Sequence, residues 1–248
     1  MARKVLTNAN WAQLAPLFPC KGPQAKRRLR LEGILWIHRT GAPWRDLPAC
    51  FGRPSTVQSA FYRWDDSGLW ARIWQRMRDT LGEDHEALYI DSTTAPAHRH
   101  SAGAAPAQSE QAIGVSRGGR GTKVHAVCDA LGYPVAVELS GAQESDVTHA
   151  RTLLEDQQAQ RIVADRGYDC DKLRAQIAAQ GAEPVIPGRK NRKEAIVYDK
   201  HWYKSRHLVE NFFCRIADHR RVATRYEKTA RRFLAMVMLS CILVWLKF

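Results

Sequence analysis

Hydrophobic positions along the 248-residue chain follow two different periods, and the change comes near residue 85. Up to that point apolar residues recur every three or four positions, as Val57, Phe61 and Trp64 do, and this spacing predicts amphipathic helices. Beyond it, short apolar runs and period-two segments predict strands that alternate with helices. We therefore predict an α/β protein with an all-α domain over residues 1–82 and a mixed sheet flanked by helices over residues 86–248.

The N-terminal domain contains two predicted helices that are separated by a tight turn. The first covers residues 44–51 and ends at Gly52, and the second starts at Pro54 and runs to Asp65. This layout is typical of a helix-turn-helix, in which the second helix faces DNA. The outward residues of that second helix are Thr56, Gln58, Ser59 and Arg63. The alternative is a helical bundle that only packs against the rest of the chain.

Charge and apolar runs together indicate the class of partner. The formal net charge is +13, made up of +7 over residues 1–85, −4 over residues 86–186 and +10 over residues 187–248. An acidic middle between basic ends suits a metal-binding centre whose flanks hold nucleic acid. The longest apolar run, residues 233–246, is shorter than the roughly 20 residues of a membrane span and predicts a buried helix. We expect a cytoplasmic, nucleoid-associated protein with no membrane partner.

Two of the short apolar strands end in an aspartate. Residues 87–91 end at Asp91, and residues 161–165 end at Asp165. Carboxylates at the ends of neighbouring parallel strands converge at one edge of an open α/β sheet. Asp165 is also placed to cap the helix that follows, with Asp169 as a competitor for that role, so these two acids alone leave both interpretations open.

A third acid lies on a helix that we predict over residues 203–221. Glu210 lies off the apolar stripe of this helix and shares a face with Arg206, four residues earlier. The simpler interpretation of this segment alone is a surface glutamate in a salt-bridged helix. Taken with Asp91 and Asp165, Glu210 instead predicts a three-carboxylate site for Mg²⁺ or Mn²⁺, ions that bind phosphate oxygens.

Five segments of the chain carry a family resemblance. They are residues 39–48, 89–93, 119–125 and 165–169, and the spacing Tyr203-x-x-Arg206-x-x-x-Glu210. With these segments the chain resembles the DDE transposases of bacterial insertion sequences, in the IS-five family. The resemblance implies a ribonuclease-H-like core in which Asp91, Asp165 and Glu210 are the catalytic triad that binds Mg²⁺ or Mn²⁺. The family signature continues with a lysine seven residues after the glutamate, where this chain has Ala217, so Arg220 or Arg221 is the candidate to replace its phosphate contact.

The implied function is that of a transposase. We expect the protein to bind double-stranded DNA at the terminal inverted repeats of its element, to cut there, and to join the 3′-hydroxyl ends to target DNA as a homodimer or larger assembly. The residues that we expect to contact DNA are Tyr203, Arg206, Lys123, Arg117, Arg120, Arg166, Arg189, Lys190, Arg45, Thr56, Gln58 and Arg63. Two alternatives are a nuclease with the same core that does not join strands and a DNA-binding regulator that has lost activity.

Overall fold

A computed structural model describes residues 6–19, 22–101 and 111–247. Its helices are α1 (Asn8–Leu14), α2 (Gln24–Thr40), α3 (Pro54–Asp66), α4 (Leu69–Leu81), α5 (Asp146–Leu153), α6 (Asp171–Ala179), α7 (Lys200–Lys204), α8 (His207–Ala217), α9 (Arg220–Ala223) and α10 (Ala230–Trp245). Its strands are β1 (Ala87–Pro96), β2 (Gly114–Ser116), β3 (Gly119–Cys128), β4 (Pro134–Gly141), β5 (Arg161–Val163) and β6 (Glu183–Val185). Residues 102–110, between β1 and β2, lie outside the described residues.

The strands form one mixed sheet in which β1 is central. β1 pairs antiparallel with β3 and parallel with β5, and β5 continues to a parallel β6. On the other side, β3 pairs antiparallel with both β4 and β2. β1 extends five residues beyond Asp91, because its polar continuation pairs with β3 as far as Pro96 opposite Gly121. This sheet confirms the predicted α/β class.

Alternate residues of β1 enter two different cores. Leu88 and Ile90 point to the face that α5 and α6 cover, whereas Ala87 and Tyr89 point to the face covered by α8, α10 and the N-terminal helices. This is the period-two alternation of a strand that is buried on both sides. The two faces fix the register of β1, since a one-residue slip would exchange every side chain between the two cores.

The predicted buried helix over residues 233–246 is confirmed as α10. It packs against α4, and the indole N–H groups of Trp74 and Trp245 both donate to the carbonyl of Pro134, at 3.1 and 3.0 Å. Arg232 pairs with Asp66 of α3 at 2.8 Å. The N-terminal helices therefore share one hydrophobic core with the sheet and α10. In the part of the chain that the structure describes, no helix is long and apolar enough to cross a membrane.

Two segments that were each predicted as one continuous helix are divided in the structure, so these predictions are wrong. Residues 44–51 form two separate 3₁₀ turns, Trp44–Asp46 and Ala49–Phe51, because Pro48 lacks an N–H and holds the residue before it in an extended conformation. The signature helix over residues 203–221 is divided into α7, α8 and α9. A tight turn at Ser205 separates α7 from α8, and the extended backbone of His219 separates α8 from α9.

Asp169 ties the segment after β6 to the edge of the sheet. Its buried carboxylate accepts hydrogen bonds from Arg174 at 2.9 Å, from Arg192 at 2.7 Å and from the backbone N–H of Arg189 at 2.8 Å. Burial alone favours the neutral acid, but these donors, Arg192 foremost, hold the pKa of Asp169 at about 2. The expectation that Asp169 competes to cap the next helix is wrong, since Cys170 occupies the N-cap of α6.

Replacing Asp169 with alanine should destabilise the protein and loosen this segment. The change leaves the guanidinium groups of Arg174 and Arg192 without their buried carboxylate, and removing one partner of a buried pair costs about 3–5 kcal/mol. We expect a lower free energy of unfolding in urea and faster trypsin cleavage after Arg189 and Lys190. The control is Asp171→Ala, since Asp171 is an exposed partner of Arg192. Equal losses in both variants would contradict the anchoring role.

A second buried polar cluster joins α2, α10 and the turn before α9. The rings of His38 and His219 lie 4.3 Å apart, and the Ser240 hydroxyl lies 3.0 Å from His38 Nε2 and 2.9 Å from His219 Nδ1. Burial lowers the pKa of His219 to about 4, and burial together with the charge of His219 lowers the pKa of His38 well below its usual value. The folded protein thus keeps both imidazoles neutral where the unfolded chain protonates them.

This cluster predicts acid-sensitive stability. Because the unfolded chain binds more protons below its histidine pKa of about 6.5, the free energy of unfolding should fall as the pH drops from about 6.5 towards 4. His219→Gln should remove part of this fall in the free energy of unfolding, at most about 3 kcal/mol by linkage. Urea unfolding at a series of pH values measures it, with exposed His201→Gln as the control. Parallel pH profiles for wild type and His219→Gln would refute this assignment.

Candidate active site

Asp91 lies on β1 directly after the buried residue Ile90, where the strand passes out of the core. Its Oδ1 accepts the backbone N–H of Ser92 at 2.8 Å, and its Oδ2 accepts Arg206 Nη1 at 2.7 Å. Burial raises the pKa of Asp91 and the charge of Asp165 raises it further, whereas Ser92 and Arg206 lower it. Asp91 and Asp165 are therefore close enough to interact electrostatically, as their strand-end positions predicted.

Arg206 joins two of the predicted acids. It is the N-cap residue of α8, and its second guanidinium nitrogen pairs with Glu210 one turn into the helix, while Nη1 holds Asp91. Glu210 has a half-exposed side chain, so one of the three acids faces solvent. The ion pairs with Asp91 and Glu210 raise the pKa of Arg206 against the effect of burial. Arg206 and Glu210 lie on the same side of the helix, as predicted. Asp91 of β1 contacts Arg206 on that side.

Asp165 follows β5 and starts a 3₁₀ turn, Arg166–Tyr168. Its Oδ1 accepts the N–H of Gly167 at 2.7 Å, so it caps this short turn and not the predicted helix, whose N-cap is Cys170. A Cβ at position 167 would lie 2.8 Å from that Oδ1, so a larger residue there would displace the capping carboxylate. Capping uses one carboxylate oxygen and leaves the other to a second role.

The donor chemistry of the three acids fits a hard divalent cation, which prefers carboxylate oxygens. Over residues 6–19, 22–101 and 111–247, however, no group of three His, Cys, Asp or Glu side chains is arranged to hold a metal ion. The Arg206 guanidinium lies between two of these acids and pairs with one oxygen of Asp91 and one of Glu210.

Asp146 is a neighbour of the site that the sequence did not single out. Its Oδ1 accepts the Ser92 hydroxyl at 2.7 Å and Lys123 Nζ at 3.0 Å. These contacts fasten the first turn of α5 to β1 next to Asp91. The signal in the sequence was weak, because an aspartate at a helix start is ordinarily explained by capping.

The residues predicted to contact DNA are mostly at the surface. Those that are exposed are Arg45, Thr56, Arg63, Arg117, Arg120, Arg166, Arg189 and Lys190. Arg189 donates to the carbonyl of Gly167 at 2.9 Å, which places it beside the Asp165 turn. Gln58 and Tyr203 are half-buried; Gln58 donates to the hydroxyl of Tyr62, and Tyr203 packs edge-on against Tyr198.

Two basic residues have side chains that are engaged within the protein. Lys123 Nζ donates to the Glu144 carbonyl at 2.7 Å and to Asp146, which leaves its ammonium little room for a phosphate. Arg221, one of the two candidates to replace the missing lysine, is buried and pairs with Glu227 at 3.0 Å. Arg220 is exposed and remains the candidate.

Comparison with known proteins shows which family the chain belongs to. Residues 6–74 match the family model described as "Putative transposase of IS4/5 family", and residues 82–245 match the model "Transposase DDE domain". A "Putative transposase for insertion sequence element IS6501" from Brucella ovis is 37% identical over 128 residues, which are 51% of this chain and 98% of that protein. A "Putative transposase for insertion sequence element IS402" from Burkholderia cepacia is 31% identical over 136 residues, covering 50% of this chain and 62% of that one.

Among solved structures, a piggyBac transposase synaptic complex with hairpin DNA is similar with a TM-score of 0.53 and 9% identity. The similarity covers 95% of this chain and 69% of that chain, and at this identity it speaks to the fold alone. Together with the mixed sheet around β1, it confirms the ribonuclease-H-like fold. Because the DDE domain model spans more than half of the residues, the chain belongs to the DDE transposases of the IS4/5 family.

Proposed function

We propose that this protein binds the ends of its element as double-stranded DNA, cuts them by metal-dependent hydrolysis and joins the 3′-hydroxyl ends to target DNA. The observation that carries the proposal is the contact of Arg206 with both Asp91 and Glu210 beside Asp165. Asp91 and Glu210, from separate elements, thus share one guanidinium partner, and the charge of Asp165 acts on Asp91. If Arg206 and Glu210 formed only an ordinary surface salt bridge, the pair would not need a second acid, Asp91, from the central strand.

Asp91, Asp165 and Glu210 would hold Mg²⁺ or Mn²⁺. When bound, such ions activate the attacking water or hydroxyl and neutralise charge on the phosphoryl oxygens. The chain itself positions the acids. Ser92 N–H fixes one oxygen of Asp91, and the Gly167 N–H fixes one oxygen of Asp165. The hydrogen bond from Ser92 lowers the pKa of Asp91 and so favours its charged form, which is the form that binds cations.

Arg206 has a role in both states of the site. Without DNA its guanidinium neutralises Asp91 and Glu210, whose charges would otherwise repel each other. The same planar fork binds phosphate oxygens through paired hydrogen bonds. We propose that Arg206 exchanges the two carboxylates for a phosphate near the cut, which frees the acids as the DNA arrives.

The exposed basic residues around Asp165 suit the DNA backbone. Arg166, Arg189 and Lys190 flank this acid, and phosphate contacts of this kind weaken steeply as salt rises. The outward face of α3, with Thr56 and Arg63, is proposed to read the element end. Since both ends of an element must be cut together, we propose a homodimer or larger assembly on DNA. The related solved complex that contains DNA supports a DNA substrate.

Replacing any one of the three acids with its amide should abolish cleavage while DNA binding survives. Asp91→Asn, Asp165→Asn and Glu210→Gln each remove a charge that holds the cations, and metal ions contribute several kcal/mol of transition-state stabilisation. We expect cleavage of element-end DNA to fall roughly 10³-fold or more. Binding, measured by gel shift in EDTA, should remain. Asp79→Asn is the control, because Asp79 is an exposed acid on α4.

A strand-transfer assay with pre-cut ends separates this proposal from the nuclease alternative. Joined product that requires Mg²⁺ or Mn²⁺ supports a transposase, and cleavage without any joined product supports a nuclease. If the three variants cut as fast as wild type, the assignment of the acids is wrong.

A further inference from the structure

A pocket lies between the N-terminal helices and the segment that links α9 to α10, away from the three acids. Its volume is about 360 Å³, within the range of about 300–1,000 Å³ that small-molecule sites occupy. Its lining combines three aromatic rings with charged side chains: Trp44, Tyr62, Tyr226, Arg221, Glu227 and Arg232. Nothing in the proposed cleavage chemistry uses these residues.

Two guanidinium–aromatic contacts form part of the pocket wall. The guanidinium group of Arg221 lies over the ring of Tyr226 at 5.0 Å, and that of Arg232 lies over the ring of Tyr62 at 4.6 Å. Nucleobases stack both on aromatic rings and on guanidinium planes. Trp44 and Tyr226 are half-buried and Tyr62 is exposed, so the rings can be reached from solvent.

The floor of the pocket contains a buried ion pair with spare hydrogen-bonding capacity. Arg221 and Glu227 each have side chains that are 7% exposed, and they pair through Arg221 Nη1 and Glu227 Oε1. Among the described residues, neither Arg221 Nε nor Glu227 Oε2 has a hydrogen-bond partner, although both atoms are buried. One is a donor and the other an acceptor, and buried polar atoms normally find partners.

A nucleobase has both an acceptor for Arg221 Nε and a donor for Glu227 Oε2. Its edge carries ring or carbonyl acceptors for Arg221 Nε, and the amino group of adenine, cytosine or guanine donates to an oxygen such as Glu227 Oε2. Thymine lacks an amino group. Exposed Lys228 at the rim can meet an adjoining phosphate.

The position of the pocket relative to the acids fits a nucleotide of the same DNA. β1 carries Asp91 and ends at Pro96, and the next residue, Ala97, bridges to Arg225, the residue next to Tyr226. Ala97 is six positions after Asp91, or at most about 20 Å away at 3.3 Å per residue. His98, next along, lies 4.9 Å from the ring of Tyr226. One strand thus connects the candidate active site with the pocket.

We propose that this pocket binds a single unpaired nucleobase of the DNA, with a preference for bases that carry an amino group. The proposal rests on the proposed function only in taking DNA as the substrate. Stacking on Tyr226, Tyr62 and the two guanidinium planes holds the base, and Arg221 with Glu227 reads its edge. The base must leave the duplex to enter, as in other proteins that extract a nucleotide from the stack.

The test is fluorescence anisotropy with the full chain and metal-free DNA in EDTA, so that no cleavage occurs. The probes are otherwise identical labelled duplexes that carry one unpaired adenine, cytosine, guanine or thymine, or one abasic residue. We expect the amino-bearing bases to bind roughly 5- to 100-fold more tightly than the abasic duplex, as stacking energies imply. Thymine should lie between them. Free nucleotides serve as competitors, and competition by them at equal concentration would point to a free-nucleotide site instead.

Three variants assign the effect to the pocket. Tyr62→Leu and Tyr226→Leu should reduce the advantage of the unpaired base, and Glu227→Gln should reduce the discrimination against thymine. Tyr133→Leu is the control, because Tyr133 is a half-buried tyrosine stacked on Trp245 outside the pocket. Thermal unfolding identifies any variant that misfolds, and Tyr62→Leu alters an exposed residue for that reason.

Equal affinity for all five duplexes, or base preference that survives Tyr62→Leu and Glu227→Gln in folded protein, would overturn the proposal. The outcome is separate from the fate of the proposed function. Base-dependent binding without any metal-dependent cleavage would retain the pocket and reject the transposase chemistry. Cleavage with no base dependence would do the reverse.

Discussion

The pairing of β1 on both of its edges is the constraint on which the rest of the structure depends. One edge bonds to β3 and the other to β5, while its alternate side chains fill two separate cores. A strand held in four directions cannot slip in register, so Asp91 has a fixed position at the point where the core ends. The parallel neighbour β5 delivers Asp165 to the same edge, and α8 packs across β1 to add Glu210.

Arg206 shows how a cluster of acids is stabilised without a cation. Burial and the charge of Asp165 raise the pKa of Asp91, whereas Arg206, which Asp91 shares with Glu210, lowers it. With Arg206 in this position, the described residues include no group of three side chains arranged to hold a metal ion. Assembly of the site is thereby linked, in our proposal, to the arrival of a phosphate that competes for Arg206. Asp146 accepts hydrogen bonds from Ser92, the residue after Asp91, and from Lys123, and so holds α5 against β1 at this point.

The sequence predicted those parts of the molecule that depend on local patterns. Period-two segments predicted the strands, the apolar run predicted α10, and the strand-end positions of Asp91 and Asp165 predicted their approach. It could not predict side-chain contacts between distant residues that no local pattern marks. Asp146 contacts Ser92 across 54 positions, and Trp44 lines a pocket with Tyr226. The sequence also did not predict where some elements end. The extended backbone of His219 divides a helix with a regular apolar stripe. β1 continues beyond its apolar residues because β3 pairs with its polar end. The roles of the three acids and of the DNA-contacting residues stay predictions.

The central claim is that Asp91, Asp165 and Glu210 together hold a divalent cation once DNA releases Arg206. Titration of Mn²⁺ into the protein, followed by electron paramagnetic resonance with and without element-end DNA, tests it most directly. The account predicts weak Mn²⁺ binding by the free protein, much tighter binding with DNA, and loss of that tight binding in Glu210→Gln. Equal Mn²⁺ affinity in wild type and Glu210→Gln, both bound to DNA, would contradict it.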